Sequence, residues 1–466
     1  MAEVVAHRRS AGGRRLAFAL LACVQVTLIA AITVLTVALP AVQADLGVDD
    51  AGLVLASSAY GVAFGGLLLF GGRIADLVGH RRSLTAGMAA FALACLAAAL
   101  APGAWALIAA RFGQGAGAAL AAPAAMALLG PVFLDPARRA RAVAFWGVLA
   151  SVGATLGNVV AGVVLTWASW RWVFVLPAVV SVVVLVSAPR LIPAGSPPRR
   201  TSLDLPGAAT VTAGLAVAIY GLGIGSIGWT VAGVGLLGAF ALIEARSTSP
   251  LLPLSFLLAP SRAVALAAIA VTAAGMSAAH FILALYLQQV RGYSPAATSA
   301  MFLLPVVALL TAGPLVGRTR VRLGTQPLLV AGLLLAGAGC LLLTQVGHAW
   351  PGAAALQAAL LAFSLGAGVS FSAAMVLATT DTPHGRAGVA AAVANTAMEV
   401  GPPVGLAVLI PLASSYAASQ HHLPSAEATG KGYGFAFTLA AITFAVTAAV
   451  ALAAHLKIGR RIGRKP

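Results

Sequence analysis

The sequence predicts an all-α integral membrane protein, and three observations carry that prediction. The 466-residue chain is 61% hydrophobic but only 8% charged, where a soluble domain carries about a quarter of its residues as charged groups. Mean hydropathy is +0.99. Apolar runs approaching the roughly 20 residues that a spanning helix needs recur from one end of the chain to the other, with arginines gathered between them.

The runs fall at about 17–39, 53–72, 83–101, 105–133, 142–168, 172–189, 207–224, 228–243, 263–289, 296–316, 326–345, 353–379, 387–414 and 434–456. The pattern is six, two, six, giving fourteen expected transmembrane helices. The turn Gly223-Ile224-Gly225-Ser226 separates the seventh run from the eighth; read as one broken helix, the pair would reduce the count by one. The expected organisation is a short N-terminus (1–16), a six-helix bundle (17–190), a linker with two extra helices (191–262), a second six-helix bundle (263–456) and a basic tail (457–466). The run Ala17 to Leu39 is too long for a secretory signal and reads as an uncleaved span.

The arginines set the topology. Arg8, Arg9, Arg14 and Arg15 precede the first run. Arg73, Arg81 and Arg82 sit near the second-to-third loop, and Arg138, Arg139 and Arg141 between the fourth and fifth runs. Arg318, Arg320, Arg322 and Arg386 mark later even loops; Lys457, Arg460, Arg461, Arg464 and Lys465 form the tail. All share one side if both termini are cytoplasmic, as the positive-inside rule expects. Net charge +17 is thus a topology signal. The positives are scattered between spans, which argues against nucleic acid and for contact with anionic lipid. Cys23, Cys95 and Cys340 lie inside apolar runs at spacings that fit neither a metal site nor a disulfide framework. No cofactor is expected. The longest polar segments, Ile192 to Leu205 and Ser415 to Gly432 with His421 and His422, are too short for a catalytic domain. Chemistry therefore belongs between helices, near the middle of the membrane.

Four motifs stand out. The second-to-third loop reads Gly72-Arg73-Ile74-Ala75-Asp76-Leu77-Val78-Gly79-His80-Arg81-Arg82. Its glycines suit a tight turn and close helix approach, and Asp76 beside cations suits a conformational latch. The fourth run carries Arg111 in Arg111-Phe112-Gly113-Gln114-Gly115; an intramembrane arginine is costly and should face the bundle interior or water. In the fifth run Gly153, Gly157 and Ala161 recur every fourth residue, with Asn158 and Gly162 beside them; small residues on one face let a neighbour approach. The thirteenth run reads Asn395-Thr396-Ala397-Met398-Glu399-Val400-Gly401-Pro402-Pro403. Glu399 is the one carboxylate deep in any run, where a charge is expensive. Asn395, Glu399 and Pro403 share a helix face. Pro402 and Pro403 cannot donate to the carbonyls of Met398 and Glu399, so a broken helix beside the acid is expected.

These motifs resemble those of the major facilitator superfamily, most specifically at Gly72 to Arg82. The Gly153 to Gly162 segment, Trp170-Arg171-Trp172 and Tyr286 to Pro295 are similar to its fourteen-span drug:proton antiporter branch. The resemblance implies two six-helix bundles plus two central helices, and proton-coupled export of lipophilic drugs, antibiotics or natural products by alternating access. It implies proton coupling at Arg111, and Glu399 is added from its position. Asn158, His280, Asn395 and Thr396 become candidates to line the substrate cavity. The expected partners are membrane lipid, lipophilic small molecules and protons, with a monomer in a bacterial cell membrane. Three departures stand beside this. Leu77 replaces the loop's second arginine, Asn158 replaces a proline, and the first span has Ala31 and Thr36 where relatives carry an acid and an asparagine. They leave a facilitator or symporter open as an alternative. A membrane-embedded enzyme is a remote third reading, since it needs clustered His, Asp or Cys near one interface.

Overall fold

The computed structural model describes residues 11–193, 204–247, 259–347, 352–379 and 387–462. Fourteen long helices account for most of them: α1 (Ala11–Leu46), α2 (Asp50–Val78), α3 (His80–Ala99), α4 (Ala104–Ala127), α5 (Pro136–Trp167), α6 (Trp172–Leu191), α7 (Leu205–Gly223), α8 (Ile227–Arg246), α9 (Pro260–Leu285), α10 (Pro295–Leu323), α11 (Thr325–Leu343), α12 (Gly352–Thr379), α13 (Ala387–Ala418) and α14 (Ser425–Ile462). No strand occurs among the described residues. Twelve of these helices are long and apolar enough to cross a membrane, and α2 makes a thirteenth if its two parts, Gly52–Leu68 and Phe70–Val78, bent by 55°, count as one span. In α5 the described apolar segment is Leu156–Trp167.

Several helices outrun the apolar segments. α1 begins at Ala11 within the expected N-terminal tail, and α14 runs to Ile462 within the expected basic tail. The expected polar loop from Ser415 to Gly432 shrinks to the connection between Ala418 and Ser425. Backbone hydrogen bonding does not stop where hydropathy falls, and Glu427 in the first turn of α14 suits a helix N-terminus. The second correction is at Pro402 and Pro403, where α13 runs through as one helix. Neighbouring helices can hold a proline-containing membrane helix together, and here the Pro403 ring packs against Gly61 of α2.

Turn chemistry fixes the helix ends. The Asp49 carboxylate caps α2 by accepting from the Gly52 N–H at 2.9 Å, and the Ser294 hydroxyl caps α10 by accepting from the Ala297 N–H at 3.2 Å. Gly79 ends α2 at φ 93°, and Gly324 ends α10 at φ 81°; in both cases the next helix starts at the following residue. Glycine reaches positive φ without the Cβ penalty, so the segment Gly313 to Gly324, which has arginines but no Asp, ends in the same kind of turn as the Gly72 to Arg82 loop.

Helix contacts repeat across the chain. α2 and α3 pack on α4, α1 packs on α5 and α6, and α3 packs on α6. Eight helices later, α10 and α11 pack on α12, α9 packs on α13 and α14, and α11 packs on α14. The closest approaches repeat too. A Cβ on Gly87 of α3 would lie 2.7 Å from the Gly117 carbonyl of α4, and one on Gly332 of α11 would lie 3.0 Å from the Gly366 carbonyl of α12. A seam joins the two sets through α2 on α13 and α5 on α10. The pair α7–α8 lies outside the repeat, with α7 against α2 and α13.

Candidate functional site

The seam brings the titratable groups together. α13 lies close to α2 because α2 presents glycines there. A Cβ on Gly61 would lie 3.2 Å from the Pro403 ring, and one on Gly65 would lie 3.4 Å from the Glu399 Cβ. Glu399 is 3% exposed. On α2, Tyr60 is fully buried and lies within electrostatic reach of both Glu399 and Arg111. The Arg111 Cζ sits 4.9 Å from the centre of the Tyr60 ring, a cation–π geometry. Tyr60 itself donates to the Leu28 carbonyl at 2.8 Å.

Arg111 ties three helices. Its Nη1 donates to the Ala31 carbonyl of α1 at 2.7 Å and to Gln114 Oε1 at 3.1 Å. Its Nε donates to the Ala56 carbonyl of α2 at 3.4 Å. Gln114 in turn donates to Cys95 Sγ at 3.0 Å. Arg111 of α4 thus bonds to α1 and α2, and Tyr60 is the side chain that interacts electrostatically with both it and Glu399. Tyr60, Gln114 and Cys95 were not legible as partners, because their meeting depends on the register of α2, α3 and α4.

The other candidates scatter. Asn158 is 4% exposed at the α5–α10 seam, where its backbone carbonyl accepts from the Ser299 hydroxyl at 3.0 Å. His280 is half-buried on α9, with Nδ1 2.7 Å from the Met276 carbonyl and its ring 4.9 Å from the Phe302 ring. Asn395 and Thr396 are half-buried on α13. None of these four lines the two cavities described next. A small one, about 20 Å³, lies among Ser57, Gly61, Ser277, Phe281, Pro402 and Pro403, one turn from Glu399. A larger one, about 320 Å³, opens near the ends of α1, α9 and α13, with Phe281 again in its wall.

At the second-to-third loop, Asp76 pairs with His80 at 3.3 Å. Arg81 donates instead to the Ile192 carbonyl at 3.2 Å, capping α6. Arg82 is exposed. The tight approach falls on Gly71, where a Cβ would sit 2.0 Å from the Ala119 carbonyl; at Gly72 the nearest atom would be 3.8 Å away. In α5, Gly153 and Gly157 face α1, Ala161 is buried, and Gly162 faces Pro295 and Ser299 of α10.

Residues 21–406 match the family model described as Major Facilitator Superfamily. The chain belongs to the major facilitator superfamily. It is therefore a multi-pass membrane protein with that family's all-helical fold. The superfamily member is 35% identical over 431 residues to the puromycin resistance protein pur8 of Streptomyces alboniger, covering 88% of this chain and 84% of that one. It is 36% identical over 405 residues to the cephamycin export protein CmcT of Amycolatopsis lactamdurans, covering 82% of each. Among solved structures, an inward-facing, unoccupied bacterial homolog of the human lysosomal transporter Spinster superposes with a TM-score of 0.70 at 15% identity, covering 96% of this chain and 98% of that one. That likeness concerns the fold.

Proposed function

We propose that the chain is a secondary transporter that exports lipophilic antibiotics or related natural products by alternating access, in exchange for protons. The observation that carries the coupling is Glu399, a carboxylate 3% exposed on the seam between the two helix sets, facing α2. A group at that seam changes surroundings whenever the halves rock. Its proton occupancy then biases one state over the other, because a ligand shifts an equilibrium only through its differential affinity. The names of the relatives, which speak of resistance and export, support the direction and the cargo class.

In this reading the chain crosses the membrane fourteen times, as two six-helix bundles with α7 and α8 as extra central spans, and both termini are cytoplasmic. Arg111 holds the N-terminal bundle around Tyr60 and supports proton coupling. The Gly72, Asp76, Gly79, Arg81 and Arg82 turn governs the rocking on the cytoplasmic side. The protein works as a monomer in contact with lipid.

The test is transport by the full chain in proteoliposomes with an imposed pH gradient, using puromycin as cargo. The wild type should accumulate puromycin against its gradient and collapse the pH gradient as it does so. Glu399→Gln should bind cargo but lose pH-driven accumulation. Unchanged pH-driven transport in that variant removes Glu399 from the coupling role, and cargo flux indifferent to pH favours a facilitator.

A further inference from the structure

The larger cavity lies at the end of the bundle opposite the described chain termini, which is the outer end in the orientation proposed above. α1, α2, α9, α13 and α14 contribute to it. Its walls mix apolar surface, from Leu285 and Ile410, with the amides of Gln43 and Gln289 and the phenol of Tyr433. None of its lining residues is charged at neutral pH, although the chain as a whole carries +17. A charged ligand moved out of water into such a place would find no counter-charge in its walls, which disfavours it. An uncharged ligand with amide, hydroxyl or carbonyl groups would meet amide and phenol partners there. At about 320 Å³ the cavity is at the small end of those that hold drug-sized molecules, roughly 300–1,000 Å³.

Two further observations make this chamber a unit. Gln289 donates to Gln43 Oε1 at 3.2 Å, bridging the turn after α9 to the end of α1 across the two halves. Gln289 belongs to a π-helical turn, Tyr286–Val290, a local distortion frequent at functional sites. Phe281, 2% exposed, lines both this chamber and the small cavity beside Pro402 and Pro403. It is the side chain common to the two walls.

We infer that the outer chamber is a cargo subsite selective for uncharged amphipathic molecules, with Phe281 as the partition between it and the cavity beside Glu399. The inference rests on the proposed reading in calling the ligand cargo and the chamber outer. Occupancy of the chamber requires no proton movement.

Binding to the purified full chain tests it, with radiolabelled chloramphenicol as the uncharged probe and tetraphenylphosphonium as the permanent cation. Localisation comes from Ala417→Cys, in the chamber wall, labelled by a thiol reagent in a Cys23→Ser background, because Cys23 is exposed. Chloramphenicol should bind saturably and protect the introduced thiol, while tetraphenylphosphonium should not protect it. Gln289→Leu should weaken chloramphenicol about tenfold; Gln289→Asn, which keeps the amide, should restore part of the affinity and report on folding. Gln289→Glu should admit the cation. Phe281→Ala should let chloramphenicol protect a thiol placed at Ser277 as well. Glu399→Gln should leave chamber binding within about twofold of wild type, so failure of proton coupling and failure of the chamber are read separately. No protection by chloramphenicol, or equal protection by the cation, overturns the inference.

Discussion

The Tyr60 ring lies beneath the Arg111 guanidinium, 4.9 Å from ring centre to Cζ, deep between α2 and α4. The Arg111 Nη1 and Nε donate to carbonyls of α1 and α2. A flat, multi-donor group is needed for that, since a lysine ammonium is a point donor without a stacking face. Arg111→Lys should therefore destabilise the protein by about 3 kcal/mol, and Tyr60→Leu by about 2 kcal/mol from the lost cation–π contact. Denaturation of the purified protein in mixed micelles measures both. A lysine variant as stable as wild type would show that the three-helix tie is dispensable.

Neighbouring glycines should respond oppositely to alanine. A Cβ at Gly71 meets the Ala119 carbonyl at 2.0 Å, and backbone cannot step aside cheaply. A Cβ at Gly72 meets only the Pro123 ring at 3.8 Å. Gly71→Ala should cost about 1–3 kcal/mol by forcing α2 and α4 apart. Gly72→Ala should be neutral or stabilising by up to about 1 kcal/mol, since alanine is the better helix former. The thermal midpoints of the two variants against wild type decide it; equal losses would contradict the packing.

That contrast shows where sequence reading stops. The spans were legible because lipid leaves backbone polar groups no partner outside a helix, so apolar runs declare themselves. The Gly79 turn was legible for a related reason, as glycine between two runs has few other uses. Which glycine bears the contact was not legible, because Gly71 and Gly72 differ only in rotation about the helix axis. Glu399 was legible as a lone acid in an apolar run. Tyr60 and Phe281 were not, because an aromatic residue in a span looks like core until the facing helix is known. Pro402-Pro403 read as a break, but the space at Gly61 lets the helix run through.

The seam between α5 and α10 should be sensitive in function. A Cβ on Gly162 would lie 2.7 Å from the Ser299 Cβ and 3.1 Å from the Pro295 carbonyl. Gly162 lies where α5 meets α10, one in each helix set, so a bulkier residue here acts on the relation between halves. Gly162→Ala should slow transport about tenfold while shifting the thermal midpoint by a few degrees at most. Ser299→Gly added to Gly162→Ala should recover most of the rate. Initial rates of cargo uptake in proteoliposomes measure this; a double variant as slow as the single one would place the effect elsewhere.

The turns at the end opposite the described termini carry a pH-dependent clasp. The Asp45 carboxylate accepts from the Arg171 guanidinium and from Trp170 Nε1 at 3.0 Å, and Arg171 also donates to the Ala101 carbonyl at 3.3 Å. The end of α1, the α3–α4 turn and the α5–α6 turn are thereby joined. The bond from Arg171, and then that from Trp170, hold the Asp45 carboxyl below the usual carboxylate range. An acid whose folded-state pKa is depressed contributes stability that is fully present above its unfolded value, near 3.9. The contribution fades as pH falls through the folded value. Asp45→Asn should thus be less stable than wild type at about pH 7, and the gap should narrow progressively as pH falls below about 3.9. Asp45 is solvent-exposed, so salt should narrow the gap at neutral pH as well. Thermal unfolding of the two proteins across pH and salt reads both effects, and a gap that stays constant down to about pH 3 would mean that the carboxylate charge contributes nothing.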